Sequence, residues 1–207
     1  MSLKNVCVTM RVTNAQSYDE VRDSISHDWF NLLASWDMTT IPVPNIGPVA
    51  VDYVRRAAPA LLILSGGEDI GASPVRDETE IALFKFALKN RLPVLGVCRG
   101  LQLMNVNLGG ELGAVEGHVA SVHDVDIDPA WQGFYGERTS VNSFHNIGIP
   151  QSTLAPRLQT MATDAEGHIE AVRHNDLPVA AIMWHPERHG APDGDRRLIE
   201  ALIAGRK

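Results

Sequence analysis

Leu92-Pro93-Val94-Leu95-Gly96-Val97-Cys98-Arg99-Gly100, followed by the apolar run Leu101 to Leu108, is the stretch that decides the fold. Leu92 to Leu95 reads as a short buried strand and Leu101 to Leu108 as a helix. Gly96–Gly100 is then a strand-to-helix junction with a cysteine at its apex. A chain that turns this sharply needs small flanking residues, and the glycines at 96 and 100 supply them. The turn is expected to push the Cys98 side chain out of the sheet toward solvent. The free N–H groups of the following helix favour a thiolate at that point. Cys98 is therefore a candidate nucleophile. A buried structural cysteine fits the same five residues, because Cys behaves as a small hydrophobe, and the pentapeptide alone leaves both readings open.

On the N-terminal side of the junction, strand-like and helical runs alternate. Strands are expected at Val6–Met10, Thr39–Val43 and Ala60–Leu64, and helices at Tyr18–Trp36, Val51–Ala57 and Glu78–Asn90. Ile25, Trp29, Leu32, Leu33 and Trp36 share one helical face, which reads as core packing and not as a ligand platform. Such alternation implies βαβ units and a parallel sheet, and the run Leu61-Leu62-Ile63-Leu64 fits a strand covered on both faces. Beyond the junction the pattern changes. Val122–Ile127, Ser140–Ser143, Ile169–Arg173 and Val179–Met183 are strand candidates with little helix between them, so an antiparallel extension is expected. A helix over Asp195–Ala204 closes the chain. The fold class is α/β. Functional residues of open α/β sheets gather at the carboxyl edges of the strands. Gly66-Gly67, Cys98 and His185 each follow such an edge.

The chain has 207 residues, which suits a single domain over 1–207 with a core that needs no staples. A hydrophobic share of 44% and a charged share of 21% are those of a soluble globular protein. The net charge of −7 argues against broad binding to nucleic acid or anionic membrane. It leaves room for a local arginine pocket. The two cysteines, Cys7 in an apolar segment and Cys98, read as free thiols of a reducing cytoplasm. No apolar stretch reaches the length of a membrane span, and Met1-Ser2-Leu3-Lys4 lacks a signal-peptide core.

A cysteine nucleophile needs a base, and the base needs an orienting group. His185 follows an apolar strand in Trp184-His185-Pro186-Glu187. In extended chain, residues two apart point the same way, so Glu187 can reach the His185 imidazole and fix its tautomer. Acyl chemistry also needs donors for an oxyanion. The Arg99 N–H is one, and Gly66-Gly67 brings a second close because no Cβ blocks the approach.

Ser65-Gly66-Gly67-Glu68-Asp69, Gly96-Val97-Cys98-Arg99-Gly100-Leu101-Gln102 and Trp184-His185-Pro186-Glu187, in this order, resemble the motifs of the class I glutamine amidotransferase family. The resemblance spans most of the chain. It implies Cys98 as nucleophile, His185 as base, Glu187 as orienter and Gly67 with Arg99 as oxyanion hole, with Gly66 and Gln102 lining the substrate pocket. It implies a flavodoxin-like three-layer sandwich with a mostly parallel central sheet and a small antiparallel extension. Cys-Arg-Gly-Leu-Gln (98–102), Gly-Gly-Glu-Asp-Ile (66–70) and Val141-Asn142-Ser143-Phe144-His145 are similar to the γ-glutamyl hydrolase branch, where the last segment lies near the substrate. The implied substrate is a small γ-glutamyl amide, with no cofactor. A synthetase partner is the rival expectation, as is a non-catalytic binding protein on the same fold.

Two features depart from the branch. Met183 stands where a glutamine is common, and Tyr18–Trp29 differs from the polyamine-degrading enzymes. That segment, Met10-Arg11 and Met183–Arg188 resemble a narrower group acting on γ-glutamyl-CDP-amidate. A diphosphate calls for cations, and Arg11, Arg22, Arg99 and Arg188 are the candidates. The pairs His118/His123 and His185/His189 lack a third ligand of familiar spacing, so they read as solvated loop histidines and no metal ligand is assigned.

Overall fold

The computed structural model describes residues 4–205. β1 (Lys4–Thr9) is followed by a hairpin of β2 (Arg11–Asn14) and β3 (Val21–Ser24), then α1 (His27–Ser35) and β4 (Met38–Val43). A 3-10 turn leads into α2 (Ala50–Ala57), β5 (Leu61–Leu64), α3 (Pro74–Asn90), β6 (Val94–Val97) and α4 (Arg99–Asn107). Next come β7 (Gly113–Ala114), β8 (Val119–Ile127), α5 (Gln132–Tyr135), β9 (Arg138–Phe144) and β10 (Ile147–Gly148). β11 (Leu158–Thr163), β12 (Ile169–His174), β13 (Val179–Ile182) and α6 (Gly194–Ile203) complete the order.

Nine strands form one sheet in the order β4-β1-β5-β6-β13-β12-β11-β8-β9. β4, β1, β5, β6 and β13 run parallel, and antiparallel pairing takes over from β13 to β9. Every residue of β5, β6 and β13 is buried, as strands covered on both faces require. Pro42 is tolerated inside β4 because that strand is the sheet's edge. Cys7 is buried in β1, and Trp29 and Leu33 lie in the core as expected. The architecture is the α/β sandwich anticipated. Among the described residues no helix is long and apolar enough to cross a membrane.

Besides the short β7, α5 and β10 and an earlier start of β8, three larger differences from the sequence reading stand out. The helix expected over Tyr18–Trp36 begins only at His27. The Ser26 hydroxyl accepts the Asp28 N–H at 3.2 Å and caps the helix there, while residues before it pair as the β2–β3 hairpin. Both carboxylate oxygens of Asp23 accept bonds from Asn45, which ties that hairpin to the loop after β4. Second, α3 starts one turn earlier than Glu78, with Ser73 at the cap and Pro74 at the first position, where a missing N–H costs nothing. Arg76 and Asp77 thereby become helical. Third, no strand was expected at β11, yet it joins β12 to β8.

Candidate active site

Cys98 sits in the turn between β6 and α4 with φ 51° and ψ −103°, a backbone conformation that is strained for any residue with a Cβ. Its N–H donates to Ile182 O at 2.8 Å, which couples the turn to the end of β13. A Cβ on Gly100 would lie 2.1 Å from Leu64 O, so only glycine lets α4 start against the end of β5. The Cys98 side chain is nearly enclosed and not turned to solvent as the sharp turn suggested, because it is packed into the buried core cluster. Burial pushes its thiol up to about 12, against the lowering effect of a hydrogen bond from the Arg99 N–H; the Glu187 carboxylate adds to the rise. The helix N–H acts toward the thiolate as expected, but desolvation outweighs it.

Past β13 the chain continues through Met183 and Trp184 to His185. The His185 Nδ1–H donates to Glu187 Oε1 at 2.8 Å, leaving Nε2 free to exchange a proton. The main chain at His185 is clamped by one side chain. Asn142 Oδ1 accepts the His185 N–H at 2.9 Å, and Asn142 Nδ2 donates to His185 O at 2.9 Å. Phe144 packs edge-on to the His185 ring, with centroids 5.6 Å apart, and the Arg188 guanidinium lies over the Phe144 ring at 4.2 Å. Trp184 is held by its Nε1–H, which donates to Asp195 Oδ1 at 3.0 Å.

The loop after β5 completes the convergence. A Cβ on Gly66 would lie 2.7 Å from His185 Cε1, so the glycine backbone and the imidazole are in contact. Gly67 has φ 148°, and a Cβ there would meet Arg76 Nη1 at 2.3 Å and the Arg11 side chain at 3.2 Å. β5, β6 and β13 are neighbours in the sheet, so Gly66-Gly67, Cys98 and His185 meet at one carboxyl edge.

Arg76 was not singled out by the sequence. It is fully buried, and Nη2 donates to Ser65 O at 2.9 Å and Gly66 O at 3.0 Å, while Nε and Nη1 reach Glu80 Oε1 (3.0 Å) and Glu68 Oε2 (2.7 Å). This guanidinium shapes the Gly66-Gly67 loop. Its only sequence signal is Glu80 four residues on, a spacing common on solvated helices.

Several anticipated substrate contacts are committed elsewhere. The Arg99 side chain is buried in ion pairs with Glu80 and Asp77, so it is removed from the arginines available to a diphosphate; its N–H stays at the cysteine. Arg22 is on the exposed hairpin and pairs with Glu20. Arg11 and Arg188 remain beside the site. The Asn142 amide braces His185, Arg188 and His189 backbone, and the Ser143 hydroxyl donates to His118 O at 2.7 Å. Gln102 Nε2 donates to Ile147 O at 2.8 Å. Phe144 is the partly exposed member of that segment, and His145 is buried. His118 is also buried, and His123 is largely so. This corrects the reading of both as solvated loop residues, because the β8–β9 hairpin folds them against Glu170 of β12.

A family model described as Peptidase C26 matches residues 61–187. The γ-glutamyl-CDP-amidate hydrolase of Campylobacter jejuni is 30% identical over 202 residues, spanning 93% of this chain and 94% of that protein. A glutamine-hydrolysing GMP synthase subunit from Methanothermobacter thermautotrophicus is 31% identical over 157 residues, spanning 74% of this chain and 78% of that protein. The glutaminase domain of Trypanosoma brucei CTPS with bound acivicin superposes with a TM-score of 0.72 at 15% identity, covering 99% of this chain and 95% of that one. A catalytic triad and a cysteine nucleophile are typical of this family. With its motif order, its flavodoxin-like sheet and these similarities, the chain belongs to the peptidase C26 family and is an enzyme of the γ-glutamyl amide hydrolase or glutamine amidotransferase type.

Proposed function

We propose that this protein is a stand-alone hydrolase that releases glutamate from a γ-glutamyl amide through a thioester on Cys98. The observation that carries the reading is the His185–Glu187 pair in contact with Gly66, one strand away from the Cys98 turn. Sγ attacks the δ-carbonyl of the substrate while its proton passes to His185 Nε2. Because the resting thiol is neutral, proton transfer accompanies attack. The N–H groups of Arg99 and Gly67 receive the developing oxyanion. The imidazolium, steadied by Glu187, then protonates the leaving nitrogen as the C–N bond breaks. Water that gives its proton to the same imidazole cleaves the thioester, freeing glutamate and the thiol.

For the leaving group, an amidate on a nucleoside diphosphate is the reading favoured. Arg188 lies over Phe144 beside His185 and Arg11 lies against Gly67, and the Campylobacter relative aligns over nearly the whole chain. The test is a panel of γ-glutamyl-CDP-amidate, γ-glutamyl-γ-aminobutyrate and glutamine with glutamate release as the readout. Turnover of the first by the isolated chain, abolished in Cys98→Ala, is expected. A glutamine-analogue electrophile should label Cys98; labelling at Cys7 would sink the assignment. The second reading, a glutaminase that feeds ammonia to a synthetase, draws on the GMP synthase relative. It wins if turnover requires a partner chain and free glutamine.

A further inference from the structure

Where β8, the end of β9 and β12 come together, three histidines and a glutamate face one another. His118 and His123 come from β8 and its approach, His145 follows β9, and Glu170 lies in β12. Their side chains meet far from water: His145 and Glu170 are at 2% and 1% exposure, and His118 at 8%. His118 Nε2 is 4.0 Å from Glu170 Oε1, His145 Nε2 is 3.6 Å from the same oxygen, and His123 Nε2 is 3.6 Å from Glu170 Oε2.

The tautomers of two of these rings are fixed by carbonyl groups. His118 Nδ1 lies 2.9 Å from Glu116 O and His145 Nδ1 lies 3.1 Å from Ile147 O. A carbonyl only accepts, so each Nδ1 carries a hydrogen and each ring turns its Nε2 inward. Those Nε2 atoms, both nitrogens of His123 and both oxygens of Glu170 have no hydrogen-bond partner among the described residues. Even with the one N–H of a neutral His123 turned to Glu170, the group holds more buried acceptors than donors, and an unpaired buried acceptor is costly.

We propose that His118, His123 and Glu170 bind a divalent cation of the zinc class, with His145 as the neighbouring imidazole donor. The ligand atoms of the first three lie within 4.8 Å of one another. Metal bonds of about 2.0–2.2 Å place neighbouring ligand atoms roughly 3.3–3.6 Å apart in a tetrahedron, so small side-chain shifts close the site. Imidazole nitrogens with one carboxylate select zinc or a similar transition ion over magnesium or calcium. The Nδ1–carbonyl bonds are the outer contacts that orient metal-bound histidines. Asp164 Oδ2, 3.1 Å from His118 Nε2 and bonded to His168, is a further acceptor at the rim. A bound ion would tie β8 and the end of β9 to β12. It would thereby brace the wall that carries Asn142 and Phe144 against His185.

The test uses tag-free full-length protein, with Cys98→Ala as the background that removes the competing thiol. After loading with Zn²⁺ and dialysis, elemental analysis should find roughly one equivalent per chain, retained in Cys98→Ala. The melting temperature should rise with Zn²⁺ and fall on chelation. His123→Ala and Glu170→Gln should each lose at least tenfold in affinity, with their folding checked by circular dichroism. If a variant fails to fold, the wild-type titration decides by itself. Less than about a tenth of an equivalent with no change in melting temperature would overturn the proposal. So would stoichiometric binding that survives both variants, or that vanishes only in His168→Ala.

Discussion

Cys98 and Asn142 carry the residue-scale consequences. The thiol is neutral at rest because its burial outweighs the Arg99 N–H bond. Alkylation of Cys98 in the free protein should therefore accelerate about tenfold per pH unit from about pH 7 to 10, without a plateau. A plateau near neutral pH would show a resting thiolate instead. Asn142 uses both ends of its amide on the His185 main chain. Asn142→Ala strands buried backbone groups and should cost about 1–3 kcal/mol in chemical denaturation. It should also lower kcat more than it alters KM, because the imidazole is displaced while the substrate's other contacts stay. That Cys98 and His185 follow strand ends, with Glu187 in reach of the imidazole, was legible in the sequence because strand-end position and spacing express it; the roles proposed for them rest on the motif resemblance. The bracing role of Asn142 was not, since its partner lies 43 residues away.

At the scale of elements, α6 and the end of β13 are joined by a buried carboxyl. Asp195 accepts from Tyr135 Oη at 2.8 Å and from Trp184 Nε1, and burial pushes its pKa from 3.8 to about 7 in spite of those bonds. A carboxyl whose pKa is raised by folding binds its proton more tightly in the native state. The stability linked to that proton is complete below about pH 4 and is lost as pH rises through about 7. Asp195→Asn keeps an acceptor for both donors and removes the titration. Relative to wild type, this variant should gain melting temperature steadily between pH 4 and 7, as read by calorimetry across that range; parallel profiles would contradict it. The elements themselves were read with mixed success for local reasons. β5 and β6 announce themselves by unbroken apolar runs. The β2–β3 hairpin was hidden because Ile25, Trp29 and Leu33 impose helical spacing on a stretch whose first part has few apolar residues. Only the Ser26 cap divides the two.

Across the whole molecule, one buried network connects three elements to the catalytic edge. Glu80 of α3 is fully buried between Arg76 and Arg99, and Thr9 at the end of β1 donates to its Oε1 at 2.7 Å. Arg76 holds the Gly66-Gly67 loop, and Arg99 begins the helix behind Cys98. Removing Glu80 takes one of two carboxylate partners from each buried guanidinium, leaving Arg76 with Glu68 and Arg99 with Asp77, so Glu80→Ala should destabilise by about 3–5 kcal/mol in urea unfolding. Glutamate release should collapse with it, even at temperatures where the variant is folded. Equal stability and activity would show that the network is not what positions the loop. By itself, the sequence determined the α/β class, the parallel half of the sheet and the order of the three motifs at strand ends. Those properties are written in local periodicity and in small residues at sharp turns. Only the tertiary structure decided which polar residues face the substrate and which face each other. Arg99, Asn142 and Ser143 turned inward to partners distant in the chain. His118 and His123 met Glu170 through the pairing of β8 with β9 and, by way of β11, with β12. Burial and hydrogen bonding between remote segments set those choices, and neither leaves a signature in the spacing of neighbouring residues.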